Sequence, residues 1–149
     1  MALIDLITEE VVKVPLTSQS KFEIIKELIQ LLHERGYLEQ SEAAYDAVLN
    51  REAQGSTGLE NGIAVPHAKT DTVKSLTIAI GISPAGVDFE ALDGNLSHLF
   101  FLMLGPPDQP GPHIEALAEI ARLTRSKAFC NMVTAAVSAR EVVEIFRQE

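Results

Sequence analysis

Sixteen residues, Gly55-Ser-Thr-Gly-Leu-Glu-Asn-Gly-Ile-Ala-Val-Pro-His67-Ala-Lys-Thr70, gather three glycines, the hydroxyls of Ser56 and Thr57, a proline and a histidine. Glycines cluster where backbone must take positive φ or approach a ligand closely. Successive turn-forming N–H groups at Gly55, Ser56, Thr57, Gly58 and Gly62 are expected to form a phosphate- or anion-binding loop, with His67 at its edge. A histidine so placed has three chemical uses. As a metal ligand it needs partners, but His67, His98 and His113 share no i, i+4 spacing and no His-Glu-x-x-His motif exists, so no metal site is expected. As a hydrolase base it needs a nucleophile; Ser56 is nearby, but no Gly-x-Ser-x-Gly elbow surrounds it. As a nucleophile, its imidazole can take a phosphoryl group and pass it on, because the N–P bond is labile.

That third use sets physical requirements. One ring nitrogen must stay unprotonated while a hydrogen bond orients the other. Three phosphoryl oxygens must be neutralised by backbone N–H groups, a cation or a helix N-terminus. Arg51 lies just upstream of the loop. It is either a solvated arginine suited to a helix C-terminus or a planar fork reaching over the anion. His113 follows the loop Gly105-Pro-Pro-Asp-Gln-Pro-Gly-Pro112. It is either an exposed residue at a helix start or a donor to the phosphoryl group.

The elements that must position these groups are legible in the pattern. Val11–Val14 reads as an initial strand ended by Pro15. Ser20 and Glu23 form a capping-box signature for a helix through Phe22, Ile25, Leu28, Ile29 and Leu32, stopped by Gly36. Ser41 is expected to cap a second helix over Glu42–Ala53, which delivers the chain into the glycine loop. Ser75–Ile82 is an alternating, β-branched strand. Pro84–Gly86 reads as a turn, and Val87–Leu92 as a short strand or extended edge. His98–Leu104 is almost uniformly apolar, as expected of a central strand covered on both faces. Three helices follow: one with Pro112 at its first position, one over Phe129–Val137, and a terminal one capped by Ser138 and Glu141. Helices bracket a strand-rich middle, which predicts an α+β, three-layer α/β/α fold with a central mixed sheet. The middle strands lack intervening helices, which disfavours a doubly wound topology.

Composition narrows the function classes. The 149 residues suit a single domain spanning 1–149, with 46% apolar and 22% charged residues. A net charge of −9 argues against general nucleic-acid binding. The lone cysteine, Cys130, excludes an internal disulfide and reads as buried helix. His33 and His98 read as structural residues at a helix end and a strand end. Asp5, Glu9 and Glu10 interrupt the first apolar residues, and the longest apolar run, Leu99–Leu104, is too short to span a bilayer. A cytoplasmic protein without direct membrane insertion is therefore expected.

The segment Arg51-Glu-Ala-Gln-Gly-Ser-Thr-Gly-Leu-Glu-Asn-Gly-Ile-Ala-Val-Pro-His67 resembles the enzyme IIA domain of the phosphoenolpyruvate-dependent sugar phosphotransferase system, of the fructose/mannitol type that includes the nitrogen-regulatory branch. The resemblance extends through Asp88–Asp93, His98–Leu104, Pro107-Asp-Gln and His113–Arg122, essentially the whole chain. It implies that His67 is the phosphorylated histidine, with Arg51 and His113 beside it. It implies HPr, or an HPr paralogue, as donor and an enzyme IIB as acceptor, with no cofactor in the domain itself. Glu60 departs from the family pattern, where many members carry glycine, and adds a negative charge near the loop. Sugar-transport phosphocarrier, regulatory module and non-catalytic interaction domain are the alternatives. The joint presence of His67, Arg51 and His113 disfavours the last.

Overall fold

The longest apolar run of the sequence forms the spine of the molecule. In the computed structural model, which describes residues 3–149, strand β5 (Ser97–Gly105) is buried along nearly its whole length. It pairs antiparallel with β4 (Thr77–Val87), setting Ile78 opposite Met103, Ile80 opposite Phe101 and Ile82 opposite Leu99. On its other side it pairs in parallel with β2 (Ile63–Ala64) and then β3 (His67–Lys69). Pro66 has no N–H and separates these two short strands, as befits a sheet edge. β1 (Val12–Lys13) pairs in parallel with β4 and completes the five-stranded mixed sheet, in the order β1-β4-β5-β2.

Strand alternation sends side chains into two separate cores. Ile78, Ile80, Ile82, Leu99, Phe101 and Met103 face α1 (Leu3–Leu6), α4 (Pro110–Thr124), α5 (Lys127–Thr134) and α6 (Ala139–Arg147). Ala79, Phe100, Leu102 and Leu104 face α2 (Lys21–Glu34) and α3 (Ser41–Glu52). The three-layer α/β/α arrangement expected from the sequence is the observed one.

Local differences have identifiable causes. Val11 belongs to a 3-10 turn over Glu9–Val11, which shortens the first strand to two residues. In α2 the apolar face is built from Ile24, Ile25, Leu28, Ile29, Leu31 and Leu32, and this phase turns Phe22 outward, 53% exposed. The Ser20 hydroxyl donates to the Glu23 carboxylate at 2.7 Å instead of accepting a helix N–H, so neither side-chain-to-backbone bond of that capping signature forms. Gly36, at φ +81°, ends α2 as read; Tyr37 N–H donates to Leu32 O and Gly36 N–H to His33 O, the two bonds of a Schellman cap. Ser41 is the first helical residue of α3, and Gln40 precedes it as cap without a side-chain bond. Pro84–Gly86 does not reverse the chain. β4 continues to Val87 across a register shift after Ile82, with Gly86 at φ +85° absorbing the irregularity, and residues 88–92 form no strand. α4 starts at Pro110, not Pro112, and α5 spans Lys127–Thr134, capped by the Ser126 hydroxyl on Phe129 N–H.

Candidate functional site

His67 is the first residue of β3, opposite Met103 and half-buried. Its Nδ1 lies 2.7 Å from the carbonyl oxygen of Val65, two residues back. A carbonyl can only accept, so the ring hydrogen resides on Nδ1 and the lone pair on Nε2. Pro66 between them restricts a backbone torsion on the short path from that carbonyl to the ring edge. Burial holds the imidazole pKa below its ordinary value of 6.5, and the Arg51 charge lowers it further; the Val65 bond and the Glu52 charge act the other way. The net result is an imidazole that is neutral at neutral pH, oriented through Nδ1 and with its Nε2 lone pair free.

The second ring comes from α4. Pro110 occupies the first helical position, where its missing N–H costs nothing. His113, three residues later, is buried at 4% exposure. Its ring centroid lies 5.6 Å from that of His67, edge-on at 62°. Its Nδ1 makes no hydrogen bond among the described residues and faces Gly105, where an added Cβ would come within 2.7 Å. Burial lowers its pKa, as do the charges of His67 and Lys69. His113 is thus also neutral, with its ring edge-on to that of His67.

Arg51 sits in the last turn of α3, and its Nη1 donates to the Gly55 carbonyl at 3.0 Å. It pairs with no carboxylate among the described residues, leaving its remaining N–H groups for an anion near His67.

The glycine loop is tied to its surroundings by several of its own donors. The Gly55 N–H donates to Glu52 O at 3.1 Å, and the Thr57 N–H to the Glu52 carboxylate at 3.3 Å. The Ser56 hydroxyl donates to Phe89 O at 2.6 Å and accepts from Gly58 N–H at 3.0 Å. Gly58 is needed for close approach, because a Cβ there would meet Phe89 O at 2.8 Å. Gly62, at φ +74°, closes the turn before β2, and its carbonyl accepts the N–H groups of His98 and Leu99. The donors of Gly55, Thr57 and Gly58 are therefore satisfied internally. These bonds make a brace of Gly55, Ser56, Thr57 and Gly58 that holds the loop against Glu52 and Phe89.

Sequence reasoning missed the residues at the root of that brace. Glu52 and Lys21 are buried and paired at 3.0 Å. A charged residue directly after Arg51 carries no local sign of burial, and its partner lies at the start of a different helix. The remaining histidines stand apart: His98 Nδ1 is 3.0 Å from Ser83 O at the far end of β5, and His33 Nδ1 is 2.9 Å from Leu38 O. Cys130 is buried, its thiol directed to Thr124 O and its pKa pushed up by burial. Glu60 is exposed on the turn before β2. Among the described residues no group of three or more His, Cys, Asp or Glu converges on a point that could hold a metal, and no helix is long and apolar enough to cross a membrane.

Known proteins share this architecture. The chain is 36% identical over 148 residues to the fructose-specific EIIABC component of Bacillus subtilis, covering 99% of this chain but 23% of that protein. Among solved structures it superimposes on the nitrogen regulatory protein IIA-Ntr of Neisseria meningitidis with a TM-score of 0.88 at 29% identity, covering 96% of this chain and 97% of that one. The complex of enzyme IIA-mannitol with phosphorylated enzyme IIB-mannitol from Escherichia coli contains the same fold, with a TM-score of 0.81 at 22% identity over 95% of this chain and 97% of that one. The family model for the phosphoenolpyruvate-dependent sugar phosphotransferase system, EIIA 2, matches residues 5–149. The chain belongs to the EIIA 2 family of that system.

Proposed function

We propose that His67 is a phosphoryl relay, accepting from a phosphohistidine of HPr or an HPr paralogue and donating to an enzyme IIB. The observation that carries this reading is the 2.7 Å bond from His67 Nδ1 to Val65 O, which leaves Nε2 as the attacking atom. The Nε2 lone pair forms the new N–P bond in line as the donor's N–P bond breaks, and the donor imidazole keeps that electron pair. Transfer to enzyme IIB repeats the step with His67 as leaving group. Arg51 offsets charge on the transferring group, and His113 offers a ring N–H to it. Such transfer depends on positioning and charge stabilisation, and no cofactor enters it.

Gly55, Ser56, Thr57, Gly58 and Gly62 serve the reading as the frame of the site. We read residues 1–149 as one EIIA unit, acting in the cytoplasm as one step toward a membrane sugar permease. A regulatory role, in which phosphorylation controls binding to other proteins, is favoured by the likeness to IIA-Ntr. Incubation with phosphoenolpyruvate, enzyme I and HPr is expected to place acid-labile phosphate on wild type and none on His67→Ala. An unlabelled wild type, or a fully labelled His67→Ala, refutes the relay. Transfer from the phosphorylated protein to one enzyme IIB of a host panel supports transport; transfer to none supports regulation.

A further inference from the structure

Glu52 touches neither ring, yet it is one of the most deeply withdrawn charges in the molecule. Its side chain is 2% exposed and that of Lys21 9%, with Nζ 3.0 Å from Oε2. The same ammonium lies 5.0 Å from the centre of the Phe89 ring and 3.6 Å from the exposed carboxylate of Glu90. Burying such a pair gives little net stability over an apolar pair of similar shape. What the pair holds is more informative.

The Glu52 carboxylate accepts both the N–H and the hydroxyl of Thr57. The Thr57 carbonyl then accepts Val65 N–H at 3.0 Å, and the Val65 carbonyl accepts His67 Nδ1–H at 2.7 Å. Val65 is thereby held from both sides, with Pro66 stiffening the link to the ring. We infer that Glu52, fixed by Lys21, is a positioning residue: through Thr57 and Val65 it sets the ring orientation and tautomer of His67. The path joins the start of α2 to the nucleophile through two helices, a loop and the sheet edge. Its significance for transfer rests on His67 being the phosphoacceptor; its effect on the ring does not.

The charged and titratable groups around His67 are Arg51 and Glu52 from α3, His113 from α4 and Lys69 on β3. Of these Glu52 supplies the negative charge that raises the His67 pKa, so its neutralisation has a signed consequence. The test uses the full chain. Ring nitrogen NMR of wild type is expected to show the Nδ1–H tautomer of His67. Glu52→Gln and Thr57→Val are each expected to give a tautomer mixture and a lower titration midpoint, because both loosen the Val65 bond, with Glu52→Gln the lower of the two because it also removes the negative charge. In the phosphorylation assay both should lose about tenfold in kcat with KM for HPr within about twofold, the penalty of a sub-ångström misplacement. Val143→Ala, in α6 and away from the path, matches a loss of thermal stability without a change in tautomer. Unchanged tautomer and rate in both variants overturn the inference, and Thr57→Val carries the test if Glu52→Gln fails to fold. A tautomer shift together with an unlabelled wild type upholds the positioning path and refutes the relay.

Discussion

Gly105→Ala tests whether the placement of His113 matters to transfer. Gly105 ends β5, where its carbonyl accepts Thr70 N–H at 2.8 Å. A methyl group on its Cα would lie 2.7 Å from His113 Nδ1, against an ordinary contact of at least 3.4 Å. The ring must therefore retreat by about 0.7 Å, and at 4% exposure it cannot swing into solvent. A misplacement of about 1 Å at a reacting centre can cost about a hundredfold, so a loss on the order of tenfold in single-turnover transfer is expected. Overpacking should cost about 1–3 kcal/mol, which lowers the melting temperature by several degrees while leaving most molecules folded at 25 °C. Gly111→Ala is the matched control: it lies in the first turn of α4 and an added Cβ meets nothing within 4 Å. It should transfer at the wild-type rate and melt slightly higher, since alanine is favoured over glycine in a helix by roughly 0.5–1 kcal/mol. Rapid-quench transfer from HPr and a thermal melt read both variants. Wild-type transfer by a folded Gly105→Ala refutes a role for His113 position.

Arg51→Lys should keep the fold and slow transfer, because an ammonium replaces a planar fork that can brace Gly55 O and an anion together; equal single-turnover rates would exclude this. Glu27 is pushed up by burial, but its ion pair with Lys13 and bonds from Thr17 and Ser18 outweigh that and hold its pKa down to about 2, from 4.5. Its folded-state pKa is the lower one, so its stabilisation is present above about pH 4.5 and fades as pH falls toward 2. Glu27→Gln should cost about 1–2 kcal/mol at pH 7, discounted for solvent screening, and converge with wild type in acid, as urea melts across pH will check. Burial keeps His67 and His113 below their usual 6.5. Phosphoryl acceptance should therefore persist below pH 6.5 and fail only as the His67 ring protonates, while protons favour the unfolded chain increasingly below that pH. Replacing His113 by leucine should flatten the decline of the melting temperature.

The readings that rested on local periodicity were legible. The unbroken apolar run from Leu99 to Leu104 marks a strand covered on both faces, and Gly36 marks the stop of α2. Capping signatures were less dependable, because Ser20 and Glu23 could satisfy each other instead of the backbone. Pro84–Gly86 carried turn composition, yet the chain keeps its direction there and resumes pairing with β5 at Val87. The glycine loop illustrates the limit at the site. Its composition announces unusual backbone, but an open anion cradle and an internally bonded brace require the same residues. Whether its donors are free depends on Glu52 and Phe89, and only the tertiary fold brings Phe89 to Ser56. Likewise the sequence suggested His67 and His113 as candidates, while their separation is set by Gly105, whose lack of a side chain makes room for the second ring.

β3, which carries His67, pairs on one side only, with β5. A strand at the rim of a sheet is a template for stray pairing with another chain. This rim is a poor template: its two strands hold two and three residues, Pro66 interrupts them, and Lys69 adds an exposed charge. The His67 imidazole is thus displayed at a border that resists recruiting foreign backbone. A protein that docks against this rim meets side chains and not an open strand edge, which suits a contact that forms and releases.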